Sequence, residues 1–473
     1  MSTSDIEDTV AAIGYAKVIV TLKPAPAAAG AAALLQTDDG IGDHFMIPSE
    51  AQAETLAMSA RASASRKSKL VGSSASRRVR VYRHLGLAIG YVDAGGLAAL
   101  EADPQIGKVV HAPELSLIRP VETQAAKLSS GTSWGVRRLK ADRLWAAGFT
   151  GKGVVVGHLD TGVDGSHPAL NGAIGAFAEF DMAGDKVANA QASDSGEHGT
   201  HTAGIIAGRS GLKGSFGMAP DARLASAMVI EGGQVVDRIL AGLDWMIAEG
   251  VRIMSMSLGL RGFTPAFQAV IDALCAANVL PIIAIGNEGP NTSRSPGNYA
   301  NALSVGAIDE HDQIPDFSGS QQFDRPDNAL TPDLVAPGAA ILSCVPGGAY
   351  KIMDGTSMAT PHVAGLAALL LSAEKNATAI QLKQAILDSC ALPAGVLQAR
   401  GNRGVPDAEK AFAALTGSPL PQAAAAAMPT ARRAPPPGAR AAPTARVRAA
   451  KDTTTRTKVA TSRGKKTVSS KRK

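Results

Sequence analysis

The stretch VVVGHLD, Val154–Asp160, is a run of β-branched and apolar residues closed by a carboxylate, with the turn-rich TGVDGSHP directly behind it. A run this short and this apolar reads as a strand buried on both faces. Working outward, SGEHGTHTAGIIAG (195–208) opens a helix, ARLASAMVI (222–230) is a strand, and VVDRILAGLDWMIAEG (235–250) is a helix. VRIMSMSLG (251–259) is again a strand, TPAFQAVIDALCAAN (264–278) is helical, VLPIIAIGNEG (279–289) is strand then turn, and ALSVGAI (302–308) is a strand. Strands alternating with helices predict an α/β fold from Trp134 to about Leu415: a mostly parallel sheet with helices on both faces. No internal repeat is present.

The segment ahead of Trp134 has a different grammar. AKVIVTL (Ala16–Leu22), Val79–Asp93 and Ile106–Ala112 read as strands and Ala94–Ala102 as a short helix, a small α+β unit ending near Arg119-Pro120. An Ala/Ser-rich insertion occupies 24–76, and the polar VETQAAKLSSGTS (121–133) reads as a connector. The expected division is 1–125, 126–416, and a tail at 417–473. From Pro421 onward the chain has 14 Lys and Arg against the single Asp452, a net +13, so the rest carries −7 of the total +6. That tail has no aromatic, Leu or Ile, and cannot bury enough surface to offset the entropy of ordering; disorder is expected.

Composition limits the function classes. Apolar residues are 45% and charged residues 19% of 473, enough for a sizeable core. Three cysteines, Cys275, Cys344 and Cys390, form no disulfide framework or zinc cluster. No apolar run approaches the roughly 18 residues of a membrane span. The start MSTSDIEDTV is acidic where a secretory signal is basic, so a cytoplasmic location is expected, with export by a route that leaves no N-terminal signal still open.

Three short segments carry chemistry, in the order Asp160 (HLDTGVDGSHP), His198 (EHGTHTAG) and Ser357 (GTSMATPHVAGLAALL). Taken singly, an Asp at a strand end is a turn former, a His packs, and a Ser at a helix start is a cap. Together they answer a specific need. A hydroxyl that attacks an acyl carbon requires a base within reach, and the base requires a carboxylate on its other nitrogen. Strand ends and helix starts of a parallel sheet converge at one edge, where the three can meet.

With these flanks the chain resembles the subtilisin-like serine peptidases, whose triad runs Asp, His, Ser along the chain. The resemblance implies Asp160 as orienting carboxylate, His198 as general base and acid, and Ser357 as nucleophile. It also implies Asn287, in IGNEG, as oxyanion donor beside the Ser357 N–H. Ser257, Leu258 and Gly259 would pair with an extended substrate, Gly233 would lie on the opposite rail, and Glu288 would stand near the first pocket, hinting at a basic side chain there. His158 departs from the family, which usually has an apolar residue at that position. A calcium carboxylate and Asn of many subtilisins are replaced by Ala169 and Gly211, so that metal site is expected to be absent and no cofactor is implied. The N-terminal unit resembles an inhibitor-type propeptide, cut by Ser357 between Pro120 and Trp134. The function implied is a serine endopeptidase acting on proteins or peptides and made as a self-inhibited precursor. The alternative is a catalytically silent scaffolding or nucleic-acid-associated protein working through the basic tail, whose partner would be nucleic acid, anionic lipid or an acidic protein.

Overall fold

A computed structural model describes residues 3–23, 41–47, 79–128, 130–209, 214–230 and 235–421. All of them lie in the first of the chain's two units, Met1–Ala424. Most of the 24–76 insertion, Gly211, Gly233 and the tail beyond 421 fall outside the described residues.

The N-terminal unit comprises α1 (Thr3–Ile13), β1 (Ala16–Leu22), β2 (Val79–Tyr82), β3 (Leu87–Val92), α2 (Ala94–Ala102) and β4 (Ile106–His111). Its strands form an antiparallel sheet in the order β2-β3-β1-β4. Alternation along β1 divides its faces: Val18 and Val20 pack with Ile6, Val10, Leu97 and Leu100 of the two helices. Ile19, between them, faces a different core. The stretch 79–93, expected as one strand, is a hairpin, because Gly86 takes φ +63° and turns the chain.

Two short strands follow, β5 (Ser116–Leu117) and β6 (Glu122–Ala126), before the main sheet. That sheet contains β7 (Val155–Asp160), β8 (Ile174–Glu179), β9 (Arg223–Met228), β10 (Ile253–Met256), β12 (Leu280–Ala284), β13 (Leu303–Ile308) and β14 (Leu334–Pro337). Here β11 (Leu258–Arg261) leaves the sheet, and a hairpin, β15 (Ile341–Val345) and β16 (Ala349–Asp354), follows it in the chain. The sheet order is β14-β13-β12-β10-β7-β9-β8, with every neighbouring pair parallel. The helices that bear on the site and its sheet are α3 (His198–Ala207), α4 (Val235–Ala248), α5 (Gln268–Ala276) and α6 (Thr356–Ala373).

Successive strand residues point to opposite cores. Ile253 and Ile282 pack with Ala359, Val363 and Leu366 of α6 on one face. Met254 and Ile283 pack with Leu240 of α4 and Ile271 of α5 on the other. The second core also takes Ile19, Leu87, Ile89 and Val110, so the N-terminal sheet is seated on the α4–α5 face. Among the described residues α6 alone is long and apolar enough to cross a membrane, and it is largely buried in the protein.

Candidate active site

Asp160 ends β7 at the carboxyl edge of the sheet, and α3 begins beside it. The approach is close: a Cβ on Gly199 would lie 2.0 Å from the Gly162 carbonyl oxygen, which only glycine avoids. The free N–H groups of the first turn of α3 are satisfied by side chains from the Asp160 loop and its neighbour. Gly199 N–H donates to Thr161 Oγ1 at 2.9 Å and Thr200 N–H to Asp194 Oδ2 at 2.7 Å. So held, His198 Nδ1 lies 2.7 Å from Asp160 Oδ1, both side chains buried. Burial works against the Asp160 charge, but the attraction of His198 and its hydrogen bond outweigh it, and the carboxyl is held below its ordinary range.

The second Asp160 oxygen accepts from the Thr202 hydroxyl at 3.1 Å. Behind Thr202 stands His158, with Nε2 2.9 Å from Thr202 Oγ1 and Nδ1 2.9 Å from Ser226 Oγ. Burial lowers the His158 pKa, which keeps the ring neutral. With its proton on Nε2 it donates to Thr202 while Ser226 donates to Nδ1, and every member of the chain is satisfied. The departure noted at position 158 is a buried histidine bonded through both ring nitrogens.

Ser357 lies in the first turn of α6. Pro361, four residues on, has no N–H to give the Ser357 carbonyl, and the Ser257 hydroxyl donates to that oxygen instead, at 3.3 Å. Asn287 is oriented by the same helix start. Thr356 N–H (2.9 Å) and Thr356 Oγ1 (2.8 Å) both donate to Asn287 Oδ1, which turns Nδ2 toward the cleft. The structure therefore brings Asp160, His198, Ser357, Asn287 and Ser257 to one sheet edge.

The cleft is filled by the protein's own chain. Leu117 pairs with Leu258 and Ser116 with Gly259, antiparallel, and Ile118 N–H donates to Ser257 O at 3.0 Å. Beyond the serine, Val121 N–H donates to Asp354 O, and β6 pairs with β16 from Glu122–Asp354 to Ala126–Tyr350. Ser357 Oγ donates to Ile118 O at 2.6 Å, whereas Asn287 Nδ2 donates to the next carbonyl, Arg119 O, at 2.9 Å. His198 Nε2 is buried without a partner.

A hydroxyl, an imidazole backed by a carboxylate and an amide donor around a bound peptide are the parts of acyl transfer. The sequence profile of the subtilase family matches residues 151–412. The chain belongs to the subtilase family. This subtilase is 32% identical to subtilisin E of Bacillus subtilis (strain 168) over 334 residues, 69% of this chain and 81% of that relative. It is 33% identical to M-protease of Shouchella clausii (strain KSM-K16) over 60% of this chain and 69% of that protein. Against subtilisin of Bacillus pumilus it is 35% identical over 53% and 88%. The subtilase is a serine endopeptidase, and its substrates are proteins.

Glu288, expected near the first pocket with its charge available, has that charge engaged by Arg294 and Arg261. Burial alone would raise the Glu288 pKa, and the arginines reverse the shift, Arg294 first. Thr202, Ser226 and Thr356 stand in patterned segments, yet their roles, like that of Arg294, escape a sequence reading. Their meaning arises from partners 35–69 residues away in the chain.

Proposed function

We propose that the subtilase cuts through Asp160, His198 and Ser357, and that it is made as a precursor whose N-terminal unit blocks the cleft until cut. Ser357 Oγ bonds to the acyl carbon, passing its proton to His198 Nε2. His198 returns that proton to the leaving amine, and water then releases the acyl group by the same route. Asp160 holds the Nδ1 proton and stabilises the imidazolium, while the Asn287 amide and the Ser357 N–H serve the oxygen that gains charge.

The observation that carries the precursor reading is the continuous segment Leu115–Ala126, paired to the enzyme on both sides of Ser357. Its frame is divided: main-chain pairing and the Ser357 hydroxyl address Ile118, but Asn287 addresses Arg119. A peptide held across two registers is bound without being aligned for attack. Ile118–Arg119 is the better scissile bond, because the next one would release the ring nitrogen of Pro120. On this reading the cut falls just ahead of the 120–134 window expected from sequence. Intact mass with N-terminal sequencing, wild type beside Ser357→Ala, tests both points. Only wild type should shorten, with a new terminus at Arg119; a Ser357→Ala chain that still matures alone removes self-cleavage.

The proposal for calcium is that the family position near Ala169 holds none. Ala169 is buried and offers no side-chain oxygen. The neighbouring Arg209 guanidinium donates to the carbonyls of Asn171, Gly172, Pro220 and Ala222. A cation fixed to the chain thus gathers oxygens that a hard metal ion would otherwise need. The basic tail is proposed as a site for anionic partners on its charge alone.

A further inference from the structure

Main-chain pairing points to the residue that stands before the bond to be cut. Ile118 N–H donates to Ser257 O and its carbonyl accepts from Ser357 Oγ, so Ile118 occupies that position. It is fully buried (0% exposed), while the following Arg119 is exposed. The cavity around it is walled by β11 at Leu260 and Arg261 and by the oxyanion loop at Asn287 and Glu288, with Arg294 also lining it.

One side chain bridges these walls. Arg294, 7% exposed, donates through Nη1 to Gly259 O at 3.2 Å and to Ser116 Oγ at 3.3 Å. Through Nε it donates to both Glu288 oxygens at 3.1 Å, and Nη2 completes the ion pair. Glu288 accepts in turn from the Asn287 N–H at 3.1 Å, so the bridge is anchored to the backbone of the oxyanion loop. Arg261 places a second guanidinium on the same carboxylate at 3.2 Å. Two arginines on one carboxylate leave this corner of the cleft net positive.

We infer that Arg294, pinned by Glu288, determines which side chain is accepted before the scissile bond: short or β-branched aliphatic residues, with Lys, Arg and large aromatics rejected. This rests on Ser357 being the nucleophile. A basic side chain entering here meets two guanidiniums and a carboxylate already spent on them, and a buried unpaired charge is strongly disfavoured. An aromatic ring needs the depth that the Arg294 bridge closes. Differences of a few methylenes in such a pocket are worth about 10–200-fold. The occupant of the cleft agrees, since it buries an isoleucine and leaves the adjacent arginine in water.

The test uses the full-length protein, incubated until its mass is constant, with active sites counted by a small fluorophosphonate. Rates kcat/KM are then measured on peptides differing only in the residue before the cut: Val, Ile, Phe, Lys and Glu. Val and Ile should exceed Phe by about tenfold or more and Lys by about a hundredfold, with Glu ahead of Lys. Arg294→Gly should raise Phe relative to Val by about tenfold. The pair Arg294→Gly with Glu288→Gln should do the same without leaving an uncompensated carboxylate. Wild type preferring Lys or Phe, or variants that keep the wild-type order, would overturn the inference even though Ser357 is labelled. Failure of the fluorophosphonate to label Ser357 would instead remove the nucleophile assignment, and this inference with it.

Discussion

At the scale of single residues the cleft shows donors fixed before charge develops. Asn287 is useful because its carbonyl end is taken twice by Thr356, which leaves Nδ2 no orientation but into the cleft. Donors that need not reorganise are worth most in a site that excludes water. Asn287→Ala should lower kcat by about 10²–10³ with little change in KM, the loss known for the oxyanion asparagine of subtilisin. Thr356→Val removes one of two donors to Asn287 Oδ1, lets the amide turn, and should lose a smaller factor in the same parameter. Steady-state kinetics on matured protein decide; a Thr356→Val effect confined to KM would mean that amide orientation is not what Thr356 supplies. Asp160, His198, Ser357 and Asn287 were legible in sequence because each sits in a short motif tied to a strand end or helix start. Arg294 was not, because an arginine in a two-residue strand acquires a role only when folding sets it between Gly259 and Glu288.

Among elements, the parallel sheet was legible because both its faces are buried, and doubly buried strands leave apolar runs. The departures come where main-chain pairing, not burial, makes the strand. Glu122–Ala126 is polar and exposed, reads as a connector, and becomes a strand only through β16. The run 251–259 breaks at Ser257, where the chain leaves the sheet to pair with Leu117 and Ser116. Arg209, just after α3, belongs to this scale as well, since it ties the end of the helix to the 171–172 turn and to the approach of β9. Four hydrogen bonds from one charged group make it a structural cation. In the Ser357→Ala background, a chelator should leave Tm within about 1 °C, the outcome expected of the proposed replacement of a metal ion by Arg209. Arg209→Met should lower stability by about 2 kcal/mol or more through the stranded carbonyls. A large chelator effect with Arg209 intact would restore a metal to this region.

The proposed precursor raises, for the whole molecule, the question of what would keep the enzyme silent after a first cut. Severing Ile118–Arg119 breaks one bond of a segment paired on both sides, and the N-terminal sheet stays seated through the apolar core it shares with α4 and α5. Polar contacts fix its orientation: Lys17 pairs with Asp237, and the Tyr82 hydroxyl donates to the Asp237 carbonyl at 2.9 Å. Asp244 on α4 receives the N–H groups of His84 (2.7 Å) and Leu85 (3.1 Å), with His84 Nδ1 3.1 Å from its second oxygen. Hydrogen bonds to a charged group are worth about 1.5–3 kcal/mol, and those N–H groups belong to the turn between β2 and β3. Asp244→Ala removes them without touching the cleft. The cut N-terminal unit should then leave about 10–100-fold more readily, the factor those energies set. The reading is the lag before full peptidase activity once the chain has shortened, with the rate of the first cut measured in parallel by mass. A shorter lag at an unchanged rate of first cutting would place the barrier to activity in dissociation of the N-terminal unit. An unchanged lag would place it within the cleft, in the pairing of β6 with β16, which holds the new N-terminus against the enzyme after cleavage.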